Sequence, residues 1–180
     1  MSTLTRSWLA FAAIGSGLIH LALVVGSPLG LGIVLALLGL VEFGWGVLTF
    51  ARESVALPRT VLAGALAPVL VWALLLVSAT ISETPAVAEA LPLLPLGIAA
   101  LFELFIAATI AIHLRRAGKS DAAPTAPGVG RYLLGLALGA LVVAALTTPA
   151  LAATDAGTYA VPHGEHSGNA FDLLPSHSGH

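Results

Sequence analysis

Five stretches of this chain, at 8–25, 31–50, 60–81, 93–114 and 132–152, carry no Lys or Arg and no more than one Asp or Glu each. Each is close to the ~20 apolar residues that a helix needs to cross a ~30 Å hydrocarbon core. A water-soluble helical domain would keep a polar face on its outer helices, and this chain has too few polar residues for that. It is 58% hydrophobic and 9% charged, with a mean hydropathy of +0.99. Lipid is therefore the expected solvent, and a spanning segment there must satisfy its own backbone as a helix. The expected fold class is all-α: a polytopic bundle of five transmembrane helices over residues 1–153, followed by a tail at 154–180. The intervening segments 26–30, 51–59, 82–92 and 115–131 are rich in Pro, Gly, Ser or charge, as connections are.

The basic residues give an orientation. Arg6 precedes the first stretch, Arg52 and Arg59 lie between the second and third, and Arg115, Arg116, Lys119 and Arg131 between the fourth and fifth. With five spans these positions fall on one side, and basic residues are retained on the cytoplasmic side. The expectation is a cytoplasmic-membrane protein with its amino terminus inside and its carboxyl terminus outside. Glu83 and Glu89 fall in an external loop. Nucleic acid is not implied, and the basic loops favour anionic headgroups only as far as topology already requires. Without cysteine there is no disulfide and no thiolate ligand.

Two segments resemble export signals. The first stretch has an Arg and an apolar core, but Gly26-Ser27-Pro28 is no small-x-small cleavage site, so it is expected to stay as an anchor. In the fifth, Arg131 and the apolar run 132–146 lead to an Ala-x-Ala ending at Ala152, where cleavage would release the tail.

A weak internal repeat appears when Arg6-Ser-Trp-Leu-Ala10 is laid on Arg59-Thr-Val-Leu-Ala63. The hairpin that follows each carries one mid-span Glu, Glu42 or Glu103. This predicts two duplicated two-helix hairpins with the fifth span appended. A carboxylate in the bilayer costs roughly 2.5–3.5 kcal/mol on insertion scales, so two of them need a reason. His20 is a third such group. At ~1.5 Å per residue the three lie at similar depth, about 12 Å (Glu42), 16 Å (Glu103) and 18 Å (His20) from the inner ends of their helices. A cluster of His20, Glu42 and Glu103 would bind a cation or relay a proton; the same groups can instead hold helices together by hydrogen bonds.

Other polar features read as architecture. His113 beside Arg115 and Arg116 is expected at the interface. Trp8, Trp45 and Trp72 are read as interfacial anchors, with an interior place open to Trp72. Pro68 is expected to kink the third span, and Gly135-x-x-x-Gly139 predicts a close helix contact, within the chain or in a homo-oligomer.

The tail changes composition to Gly, Ser, Pro and Asp, cannot build a core, and is expected to be disordered. It carries His163-Gly-Glu-His166 and His177-Ser-Gly-His180. Imidazoles at this spacing suit Zn, Cu(II), Ni or Co, and Glu165 and Asp172 can add oxygen donors. With only Met1 and no cysteine, a sulfur-based Cu(I) path is disfavoured. No nucleophile elbow, phosphate loop or His-Glu-x-x-His motif is present, so no enzyme is expected. The combined expectation is binding or transport of a divalent transition metal, Cu or Zn foremost. The tail captures the ion outside, and the intramembrane residues pass a cation or proton. The alternative is a non-catalytic accessory subunit whose intramembrane carboxylates bind partner helices.

Overall fold

A computed structural model describes residues 1–52, 55, 57–81, 92–116 and 128–160, and all regular structure among them is helical. The elements are α1 (Thr3–Ala22), α2 (Leu29–Ala51), α3 (Pro58–Ile81), α4 (Leu93–Arg116), α5 (Val129–Ala152) and the single turn α6 (Asp155–Thr158). Local chemistry sets several of these ends. The Ser2 hydroxyl caps α1 by accepting from the Thr5 amide at 3.2 Å. Pro58 opens α3 at the first helical position, where its missing N–H is not needed. Gly26, at φ 81°, takes the left-handed conformation in the turn to α2. Helix α1 both starts and stops earlier than the expected 8–25. Helix α3 runs on through Pro68, and α5 through Pro149.

Four helices, α2 to α5, are long and apolar enough to cross a membrane, with mean hydropathies of 2.0–2.4. The expected count was five, and the one that falls short is α1. It contains Arg6, His20 and several Ser and Gly residues, and it occupies the middle of the bundle, against α2, α4 and α5. Ten of its 20 residues are buried, compared with four of 23 in α2 and two of 24 in α3. A helix enclosed by other helices presents little surface to lipid and does not need to be uniformly apolar. The surrounding helices do: Val41, Leu74, Leu101 and Leu141 are among many large apolar side chains left exposed on them.

The α1/α2 and α3/α4 pairs pack as hairpins, as a duplication would require, but they are not equivalent. Helix α1 is central, whereas α3 packs only on α4. Helices α1 and α2 approach along a seam of small residues: Gly46 on Ala10, Gly39 on Gly17 and Gly32 on Val24, three contacts separated by antiparallel steps of seven residues. A Cβ on Gly39 would lie 2.8 Å from the Gly17 carbonyl oxygen, so the backbones meet there only because both residues are glycine.

Helix α5 lies parallel to α1. Gly135 faces Leu4 and Gly139 faces Trp8, so the Gly-x-x-x-Gly contact is made within the chain. The Trp8 indole donates to the Gly135 carbonyl at 2.9 Å, and Ser7 Oγ lies 3.4 Å from Tyr132 OH. Trp8 is thus half-buried packing between helices rather than an anchor at a water interface, because its N–H is already satisfied by a neighbouring backbone.

Helix α5 remains helical to Ala152, with Ala150 fully buried. The first tail residues then fold back. Thr154, itself buried, caps α6 by accepting from the Gly157 amide at 3.3 Å, and α6 touches α1 and α5. The rest of the tail, including His163, Glu165, His166, Asp172, His177 and His180, lies outside the described residues, as does Lys119. The alternation of helices brings Arg6, Arg52, Arg59, Arg115, Arg116 and Arg131 to one end of the bundle, hereafter the basic end.

Candidate metal centre

The expected convergence of His20, Glu42 and Glu103 is what the helices produce. His20 sits near the end of the central helix, 3% exposed; Glu103 lies mid-way along α4, 2% exposed; Glu42 projects from α2 and is partly buried. One ligand atom from each lies within 4.8 Å of the other two. The α1–α2 seam explains how Glu42 gets there. Gly17 and Gly39 each stand three residues before a member of the pair, His20 and Glu42, so the closest backbone approach is about one turn from the contact itself.

Geometry gives the two carboxylates different relations to the ring. His20 Nδ1 is 2.7 Å from Glu42 Oε2, a hydrogen bond in which the ring N–H donates when Nδ1 carries the ring hydrogen. His20 Nε2 faces Glu103 Oε1 at 3.9 Å, beyond hydrogen-bond reach. Glu103 Oε1 is fully buried and has no hydrogen-bond partner among the described residues. When Nδ1 carries the ring hydrogen, Nε2 and Oε1 are both acceptors and confront each other in a low-dielectric interior. Two such atoms repel unless a proton or a metal cation lies between them.

The chemistry fits a metal ion of borderline softness. Metal–N and metal–O bonds of ~2.0–2.2 Å in a tetrahedral site put two ligand atoms about 3.4 Å apart, so a small side-chain adjustment converts the 3.9 Å spacing into a chelating pair. In that arrangement Glu42 would orient the imidazole ring from behind, since a ligating imidazole commonly donates its other N–H to a carboxylate. Two carboxylates and a dication also sum to zero formal charge, the condition that buried ions need.

Ser16 lies one turn before His20 on α1, fully buried with an unpartnered hydroxyl, and sequence reading passed over it. It also passed over Gly17, Gly39 and Gly46. Their signal was available as the seven-residue spacing Gly32, Gly39, Gly46 along α2. The six expected tail ligands cannot be placed relative to this centre, because they lie outside the described residues.

Fold and site together define a helical membrane bundle with a His/Glu group at its centre that could hold a metal ion. No family model, curated protein or solved structure matches the chain.

Proposed function

We propose that this chain is a transition-metal-handling protein of the cytoplasmic membrane, in which His20 and Glu103 bind a divalent ion such as Zn or Cu(II) and Glu42 orients the His20 ring. The observation that carries the reading is the opposed pair of acceptors, His20 Nε2 and the orphaned Glu103 Oε1, 3.9 Å apart inside apolar helices. Burying a carboxylate there is expensive, and a bound dication returns that cost in a way that helix packing alone does not. The positive-inside pattern puts the basic end in the cytoplasm and the His-bearing tail outside. With α1 as the fifth span, the tail collects the ion on the face nearer His20.

The test is metal analysis of purified full-length protein beside His20→Ala, Glu103→Gln and a version truncated after Ala160, which keeps the folded turn α6. One ion per chain in the full-length and truncated proteins, lost in both point variants, supports an intramembrane centre. An ion lost only on truncation would leave the tail as the sole binder.

A second reading rests on a different observation. The groove described below is apolar and is not lined by the triad, and all three side chains sit in tight helix contacts. That closed setting favours an accessory subunit, in which the triad joins helices and moves no ion. Loss of folded yield in Glu103→Gln, together with no metal in the wild type, would decide for it.

A further inference from the structure

On the far side of α1 from α2, helices α4 and α5 touch only sparingly, and α1 shows between them. The result is a half-open groove of about 200 Å³, with Trp8 and Ala12 at its floor, Phe102 and Phe105 on one wall, and Val142 and Leu146 on the other. A cavity of about 150 Å³ lined by such side chains stays dry and holds a benzene-sized molecule, so this one accommodates a stretch of hydrocarbon.

The groove is continuous with two apolar tracks that lead to arginines. On α4 the exposed residues Phe105, Ala108 and Ile112 recur at helical spacing and end at exposed Arg115 and Arg116. On α5 the exposed residues Val142, Leu138 and Leu134 end at exposed Arg131. From Phe105 to Arg116, and from Val142 to Arg131, the rise is about 16 Å at ~1.5 Å per residue. Half of a ~30 Å hydrocarbon core is the same length, roughly 15 Å. A lipid whose headgroup rests at the arginines therefore brings its chain end to the groove.

We propose that the α4/α5 groove is a binding site for one anionic phospholipid from the leaflet at the basic end, its phosphate held by Arg116 and Arg131 and an acyl chain seated against Trp8 and Phe105. Charge selects this occupant. Six arginines share that end of the bundle, and the segments that join them in the sequence add Lys119, Glu53 and Asp121, so basic groups exceed acidic ones by five. A second copy of the chain docked on the groove would bring a second basic excess to the same surface, whereas an anionic headgroup offsets the one present.

The experiment is native mass spectrometry of the full-length protein exchanged into phosphatidylglycerol or into phosphatidylcholine with the same chains. The expected result is one phosphatidylglycerol retained per chain and about fivefold weaker retention of phosphatidylcholine, with a similar loss for Arg131→Gln. Val142→Trp and Phe105→Trp, which fill the groove from its exposed rim, lower retention with every arginine in place. Val41→Trp on the exposed face of α2 leaves it unchanged, and circular dichroism verifies that each variant is folded. Equal retention of the two lipids overturns the proposal. So does loss in Arg131→Gln with full retention in both folded tryptophan variants, which reduces the site to surface charge, and so does a lipid-free dimer.

Discussion

His20 Nδ1 and Glu42 Oε2 stand 2.7 Å apart across the seam between α1 and α2, a polar contact between the central helix and a helix otherwise made for lipid. Its strength is measurable in a double-mutant cycle of His20→Leu, Glu42→Leu and the pair. Interhelical hydrogen bonds in membranes couple by about 0.6 kcal/mol on average and 1.7 at most. The expected coupling in mixed-micelle unfolding of metal-free protein is about 1–1.5 kcal/mol, toward the upper end of that range. Coupling near zero would mean that Glu42 contributes nothing to holding the ring.

Glycine substitutions should separate the seam from the rest of α2. Gly39→Ala puts a methyl 2.8 Å from a backbone oxygen that cannot move alone, and should destabilise the protein by about 1–3 kcal/mol. Gly44→Ala, whose Cβ meets nothing within 4 Å, should be neutral or stabilising by up to about 1 kcal/mol through helix propensity. The check is unfolding of both variants under the same conditions. Similar values for the two would remove the seam from the account of how Glu42 reaches His20.

Orientation can be read by thiol labelling, because the chain has no cysteine of its own. Tyr159→Cys, 77% exposed beyond α6, should react with an impermeant maleimide in intact cells. Gly128→Cys, exposed at the basic end where a Cβ meets no neighbour, should react only after the membrane is broken. The opposite pattern would put the tail in the cytoplasm and the arginines outside.

The tail makes a separate claim. A peptide covering 161–180 should bind Zn or Cu(II) through His163, His166, His177 and His180, with Glu165 and Asp172 as added donors. Binding should be strong above about pH 6.5 and fade below it, since a protonated imidazole has no lone pair to donate. Isothermal calorimetry of this peptide against one with all four histidines changed to Ala measures the effect. Equal heats at neutral pH would leave the tail without a part in metal handling.

The helices, their apolar character and the gathering of arginines at one end were all determined by the sequence, because length, hydropathy and charge are local properties that a span must satisfy wherever it packs. Glu42, Glu103 and His20 were legible for the same reason: an ionisable group in an apolar run stands out without reference to its neighbours. Which helix lies at the centre was not legible. Helices α2, α3 and α5 are apolar nearly all round, and in lipid such a helix carries no stripe to show which face turns inward. Only the packing showed that the most polar stretch, α1, is enclosed by the others, and that this protects Arg6, Ser16 and His20 from needing an apolar face. The division between the two ring nitrogens of His20, one on Glu42 and one facing Glu103, likewise depends on the rotation of three helices about their axes. That rotation is set by contacts such as Gly17 on Gly39 and Gly15 beside Phe102, between residues far apart in the chain.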